Sequence, residues 1–399
     1  MRIEDYGLIG DLQTAALVGR DGSIDWLCFP RFDSGACFAA LLGDEHNGRW
    51  KLAPDCEIER VERRYLGRSL VHELEFHTEH GRVRVLDFMP PRGTDPDVVR
   101  IVEGVEGSVP MRMELVLRFD YGSIVPWVRR LDDDTRIAVA GPDAIALRTP
   151  VPLRGENLST VAEFTVEPGE RIPFVLTWFP SHHEPPRAVT PEHAFDETCS
   201  FWSDWLRTCS YGGRYHEAVF RSLMVLKAMT YAPTGGLVAA PTTSLPEQIG
   251  GVRNWDYRYC WLRDASFALA ALIGNGFVDE AGAWRSWLLR AVAGDPDDLQ
   301  IMYGPAGERR LIELELEWLD GYEGSTPVRV GNGASTQFQL DVYGEVLDVL
   351  YEARLRGLPA DDSAWALVRH LLANLETRWR EPDEGIWEVR GPRRHFTPR

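Results

Sequence analysis

A chain of 399 residues, 44% hydrophobic and 11% aromatic, has the length and apolar content for two large cores, which excludes a disordered protein. Its 61 acidic and 43 basic side chains leave a net charge of −18, a field that repels phosphate backbones and anionic lipid, so neither nucleic acid nor membrane is expected as a partner. No run reaches the roughly 18 apolar residues of a membrane helix, and the start places Glu4 and Asp5 before any apolar run, so a soluble, cytoplasmic protein with a neutral ligand is expected.

From residue 1 to about 153 the pattern is short β-type runs broken by turn residues, for example 70–76, then Glu79-His80-Gly81, then 83–89. Further runs at 98–105, 111–119, 135–140, 145–149, 160–166 and 172–179 recur at intervals that suit an antiparallel sandwich. Residues 1–185 are therefore expected to form an N-terminal β-sandwich domain. Near Ser181 the texture changes. His182 to Pro186 interrupt the strands, and Phe195, Cys199, Trp202 and Trp205 fall at helical spacing within 190–208, which predicts a linker helix inside 186–212.

The remainder, 213–399, reads as all-α, with helices predicted at 215–232, 263–275, 278–293, 335–356 and 363–379. Two long loops separate some of them, at 235–259 and 295–334, and the second mixes Trp318, Tyr322, Arg329 and Asn332. Long loops in a compact domain commonly carry function. Helices alternating with such loops suit a toroid of helix hairpins with its site on one rim, although five or six helices are too few to close a twelve-helix toroid. The cysteines Cys28, Cys37, Cys56, Cys199, Cys209 and Cys260 show neither a C-x-x-C pair nor zinc-ligand spacing, so buried free thiols and neither a disulfide framework nor a metal site are expected.

The densest mixture of polar and aromatic residues is Arg253 to Asp264, directly before an apolar helix beginning Ala265-Ser266-Phe267. Singly, Asp264 could cap that helix and Arg263 could pair with a neighbouring acid. Together with Tyr257 and Trp261 they supply what a pyranose needs, flat faces for stacking and charged groups that hydrogen-bond two hydroxyls at once. A second cluster runs from Glu381 to Gly391. Asp383 and Glu384 read as a solvated acidic turn, whereas Glu388, between Trp387 and Val389, sits where an apolar wall would raise its pKa and suit it to be a general acid. Glycoside inversion needs a second carboxylate roughly 6.5–9.5 Å from the first. Glu247, Asp256, Glu313 and Glu315 lie in or beside loops, but none stands in an equally persuasive context.

At the start, Tyr6-Gly7-Leu8-Ile9-Gly10-Asp11 is followed by Asp21-Gly22-Ser23-Ile24-Asp25-Trp26 and then by Phe29-Pro30-Arg31-Phe32-Asp33-Ser34. Later come Thr243 to Glu247, Arg253 to Asp264, Gly321-Tyr322 with Gly331-Asn332, Gln339 to Glu345, and Gly385 to Gly391. Together these segments resemble, over almost the whole chain, glycoside hydrolase family 15, whose members include glucoamylase, glucodextranase and prokaryotic trehalase. The resemblance implies a β-sandwich joined by a linker helix to an (α/α)6 barrel, acting on non-reducing glucose units of an α-glucoside without a cofactor. It matches Tyr257, Trp261, Arg263 and Asp264 to the contacts of the terminal glucose, Glu388 to the general acid and Trp387 to an aromatic of the same site.

The family's general base is implied in a later segment with a GN-(F/L)-PQA-type sequence, and this sequence contains none. About half of the barrel is therefore expected to be present, and little turnover from this chain alone. Trehalose is favoured slightly over α-glucans as substrate. A disaccharide phosphorylase of related architecture and a non-catalytic carbohydrate-binding remnant are the alternatives. Inner-helix faces such as 265–273 and 338–350 would be left wet, at about 25 cal/mol per Å² of apolar surface, so self-association is expected.

Overall fold

The computed structural model describes residues 1–293, 297–388 and 390–396; the start of the second long loop at Asp295, residue Val389 and the tail from Thr397 lie outside the described residues. The chain divides into two compact units, Met1–Arg207 with Trp318–Thr326, and Thr208–Glu317 with Pro327–Arg399.

The first unit is built on two antiparallel eight-stranded sheets. One runs in the order Tyr6–Gly10, Ala15–Gly19, Ser23–Cys28, Arg49–Pro54, Val109–Val116, Ser159–Val166, Arg154–Glu156, with Ala36–Phe38 beside the third strand. The other runs Trp127–Arg130, Thr135–Ala140, Asp143–Arg148, Arg171–Pro180, Asp97–Gly107, Gly81–Phe88, His72–Thr78, Ile58–Tyr65. Side chains alternate across a strand, so each strand of a sandwich sends every second residue inward. Val83 and Val85, Val98 and Val102, and Phe174 and Leu176 enter the shared core with Trp50, Leu52, Met111 and Met113 of the first sheet.

Their neighbours Leu86, Phe88, Val99, Ile101 and Val175 point the other way and are buried as well, in a cluster with Ala194 that Phe195 and Cys199 pack against. Those three residues belong to helix α1 (Pro191–Leu206), the helix predicted in the linker, which therefore covers the outer face of the second sheet within the first unit. A sheet buried on both faces reads as continuous apolar runs where it is covered, as in Ile101-Val102 and Phe174-Val175-Leu176. Trp318 and Tyr322, expected in a site loop of the helical half, belong to the first unit instead. Trp318 Nε1 donates to the Tyr121 carbonyl (2.9 Å), and the Tyr322 hydroxyl donates to the Met1 carbonyl (3.1 Å).

The second unit contains α2 (His216–Ala228), α3 (Leu262–Gly274), α4 (Val278–Ala291), α5 (Asp341–Leu355) and α6 (Asp362–Arg378). The helix predicted from Ser335 starts later, because Gly333–Thr336 forms a separate 3-10 turn. Helix α3 buries Leu262, Ala265, Leu269, Leu272 and Ile273 and has its largest contact with α5, which buries Val342, Tyr343, Val346 and Val349, so the faces 265–273 and 338–350 that were expected to be wet are largely covered because they pack on each other; α4 and α5 both contact α6. Contact with the next helix but one is what alternating layers of a helix-hairpin barrel produce. The expectation of an all-α half is corrected, among the described residues, by four short antiparallel pairs in the connections: Thr230–Tyr231 with Gly236–Leu237, Thr243–Pro246 with Asn254–Asp256, Cys260–Trp261 with Met302–Tyr303, and Leu314–Glu315 with Arg329–Val330. The pairs satisfy backbone groups that long buried loops would otherwise leave unpaired. None of the six cysteines is in a disulfide, and the expectation of burial holds for Cys28, Cys37 and Cys260 but not for Cys56, Cys199 and Cys209, which are partly exposed.

Candidate active site

The first turn of α3 places Arg263 and Asp264 at the end of the Asn254–Asp256 and Cys260–Trp261 strand segments. The chain between those strands is locked from within. Arg258, fully buried, forks onto Asp256 (Nε to Oδ1 2.9 Å, Nη2 to Oδ2 2.7 Å), and the Gly331 amide donates to Asp256 Oδ2 at 3.0 Å. Gly331 has φ +75°, and a Cβ there would lie 1.8 Å from the Ile312 carbonyl oxygen, so only glycine fits. A buried, fully hydrogen-bonded ion pair is costly to break and holds its loop in one conformation.

On this frame Arg263 gathers groups that are far apart in sequence. Its Nη2 donates to Glu388 Oε1 at 3.1 Å and lies 3.6 Å from Asp264 Oδ2; its Nη1 donates to the Ile386 carbonyl at 2.6 Å and reaches Asp341 Oδ2 and Gln339 Oε1 at 3.4 Å each. Gln339 Nε2 adds a bond to Glu388 Oε1 at 3.3 Å. The segment ending in Trp-Leu-Arg-Asp and the glutamate 125 positions later therefore line one place.

Three carboxyl groups share one guanidinium, and burial dominates their titration. It pushes Glu388 above the usual glutamate value against the opposing pull of Arg263 and the Gln339 amide, with Asp264 adding to the rise. Asp264 and Asp341 are raised for the same first reason, against Arg263. Burial would lower Arg263, but Glu388, Asp264 and Asp341 outweigh it and hold the guanidinium charged. Asp264 Oδ2 and Asp341 Oδ1 are buried with no hydrogen-bond partner among the described residues. Buried acceptors without partners are rare, and beside an arginine they are groups that a polyhydroxylated ligand would satisfy.

Tyr257 and Trp261 stand together, ring centroids 5.3 Å apart and tilted by 39°. The Tyr257 hydroxyl is pushed up to about 12, by burial first and then by the charges of Glu247 and Glu388. Trp387, expected as the wall that buries Glu388, is 65% exposed. Its indole offers a face to solvent, and the Glu388 side chain, 15% exposed, is enclosed with Arg263 and Gln339 instead.

Asp383 and Glu384, expected to form a solvated acidic turn, are hydrogen-bonded to backbone. Asp383 accepts from the Leu340 amide (3.0 Å) and the Gly385 amide (3.2 Å), while Glu384 accepts from the Phe338 amide (2.7 Å) and pairs with Arg393. They fasten the turn that carries Glu388 to the chain just before α5. The loop acids Glu247, Asp256, Glu313 and Glu315 are each paired with an arginine, namely Arg253, Arg258, Arg390 and Arg329. Gln339 and Asp341 are contributors that residue-by-residue reading missed. They lie in the segment Gln339 to Glu345 that carries part of the family resemblance, but taken singly a glutamine two residues before an acidic helix start reads as ordinary.

Comparison with known proteins accounts for nearly the whole chain. Residues 213–398 match the model of glycosyl hydrolases family 15, and residues 1–199 match the trehalase-like N-terminal model. A trehalase of Mycolicibacterium smegmatis is 36% identical over 99% of this chain and 63% of its own length. Trehalase 1 of Sulfolobus acidocaldarius is 31% identical over 99% of this chain and 68% of its own length. The chain thus spans a little under two thirds of the mycobacterial relative. A bacterial glucoamylase solved in complex with acarbose matches 96% of this chain and 60% of its own, with a TM-score of 0.65 at 14% identity, and so shares the fold. The chain belongs to glycosyl hydrolase family 15.

Proposed function

We propose that this chain carries the glucose-binding and proton-donating groups of an inverting α-glucosidase, with trehalose as its foremost substrate. The observation that carries the reading is the position of Glu388, a carboxyl raised by burial and hydrogen-bonded to the same arginine that Asp264 and Asp341 flank. A general acid must keep its proton until the leaving oxygen takes it, which is what burial at this place favours. Arg263 and the oxygens of Asp264 and Asp341 that lack a hydrogen bond among the described residues would hydrogen-bond glucose hydroxyls. Tyr257, Trp261 and Trp387 would supply stacking faces. The choice of trehalose rests on relatives named trehalase in bacteria and archaea.

Inversion also needs a carboxylate that activates water on the opposite face of the sugar. With Glu247, Asp256, Glu313 and Glu315 all paired with arginines, none of them is offered for that role, and we propose that the chain alone binds substrate better than it turns it over. Calorimetry with 1-deoxynojirimycin, alongside glucose release from trehalose and maltose, tests both parts. Binding weakened at least about tenfold by Arg263→Ala or Asp264→Asn is expected, with glucose release that is slow and abolished by Glu388→Gln. Absence of iminosugar binding, or release indifferent to Glu388→Gln, contradicts the assignment. Among the described residues no helix is long and apolar enough to cross a membrane.

A further inference from the structure

The turn bearing Glu388 is fastened on both sides of the glutamate. Upstream, the Ile386 carbonyl accepts from Arg263, and the Trp387 carbonyl accepts from Arg253 Nη2 at 3.5 Å. Downstream, the anchor is the side chain of Arg390. Its guanidinium carbon lies 4.5 Å from the ring centroid of Trp255, and its Nη2 donates to Glu313 Oε2 at 2.6 Å and to Asn332 Oδ1 at 3.3 Å. Glu313 Oε2 also accepts from the Gly333 amide at 2.9 Å, and a Cβ on Gly333 would come within 2.7 Å of Arg390 Nη1. The seat is therefore shaped for a flat, forked cation, and only a guanidinium stacks on an indole while directing several N–H groups sideways.

Trp255 also lies 4.7 Å from the Arg329 guanidinium carbon, and Arg329 pairs with Glu315. The indole itself sits between Asn254 and Asp256, both fully buried. Arg390 is thereby anchored to the loop that the buried Asp256–Arg258 pair locks. Glu388 needs such an anchor because its backbone is held at φ +47°, in the left-handed region, a conformation that persists only where surrounding contacts over-determine it.

Resting on the reading of Glu388 as the acid, we propose that Arg390, seated on Trp255 and clasped by Glu313, is a positioning residue that holds Glu388 against Arg263. The charged and titratable groups around Glu388 are Arg253, Tyr257, Arg263 and Asp264, with Asp341 across Arg263. These make the test discriminating, because positioning and simple charge act in opposite directions. If Arg390 were only a nearby positive charge, Arg390→Gln would raise the titration midpoint of Glu388 and Arg390→Lys would leave it unmoved. If it positions the turn, both variants let Glu388 out of its buried place and the midpoint falls toward that of an ordinary glutamate.

The measurement is carboxyl 13C NMR of glutamate-labelled full chain across pH, with thermal melts and calorimetric affinity for 1-deoxynojirimycin. A fallen midpoint and about tenfold weaker iminosugar binding in both variants, repeated in Glu313→Gln with folding retained, is the expected result. A midpoint that rises in Arg390→Gln or stays in Arg390→Lys overturns the proposal. A midpoint that falls in a chain whose unmutated form binds no iminosugar upholds the positioning role while refuting the sugar site, so the two readings fail separately.

Discussion

Glu388 owes its character to a competition that burial wins. Its folded-state pKa is raised, so its protonated form favours the folded chain. That contribution is complete below the ordinary glutamate range and is lost as pH rises through the raised value. Glu388→Gln keeps an acceptor for Arg263 but cannot ionise. It is expected to raise the melting temperature by about 2 °C at pH 8 and to leave it unchanged near pH 4; equal shifts at both pH values would contradict the burial argument. Asp341→Asn should behave alike, since Asp341 is raised for the same first reason. Most of this cluster was legible in sequence because Arg263, Asp264 and Glu388 stand in dense polar and aromatic settings. The segment holding Gln339 and Asp341 stood out only by resemblance and their roles did not, because an acid at a helix start and a lone glutamine look the same whether or not an arginine from another helix reaches them. Asp383 and Glu384 were misread for a related reason. Two acids beside a proline and a glycine describe a solvated turn, and only the fold brings the Phe338 and Leu340 amides to them.

Helices and strands were read with uneven success, and the failures have a common cause. Periodicity located α1, α3, α4 and α6 to within a few residues, since each buries a single stripe. The two-residue strands of the second unit have no period to detect and exist only through their pairing, whether with nearby chain, as in Tyr231 with Gly236, or with distant chain, as in Cys260 with Tyr303. The same holds for Trp318 and Tyr322, whose place in the first unit depends on the carbonyls of Tyr121 and Met1. At this scale two substitutions have opposite reach. Asp361 caps α6 by accepting from the Ala364 amide at 2.8 Å, so Asp361→Ala should cost about 1 kcal/mol. Trp202 on α1 is buried to 1% exposure and packs edge-on against Phe201 and Trp205, so Trp202→Ala should cost about 3–5 kcal/mol. Denaturant titration checks both, and a Trp202 loss as small as the cap loss would mean that α1 is not an integral layer of the first unit.

At the scale of the whole molecule, the exposed apolar side chains of the second unit recur in order. Trp365, Leu372 and Trp379 fall every seventh position along α6 and its end, and Tyr351 and Leu355 are exposed on α5. Exposed large apolar side chains of this kind favour association, against the mutual repulsion of a net charge of −18. Light scattering after size-exclusion chromatography should show concentration-dependent association that grows as salt screens the charge; a single monomeric species at all salt concentrations would show that these faces do not associate.

The most direct measurement is a crystal structure of the chain with 1-deoxynojirimycin. The result expected is the iminosugar ring between the Tyr257–Trp261 pair and Arg263, with its hydroxyls on Asp264 and Asp341 and Glu388 within hydrogen-bond reach. A ligand seated away from Arg263, or Glu388 turned out into solvent with the ligand bound, would contradict the assignment of this cluster as the glycosidase site.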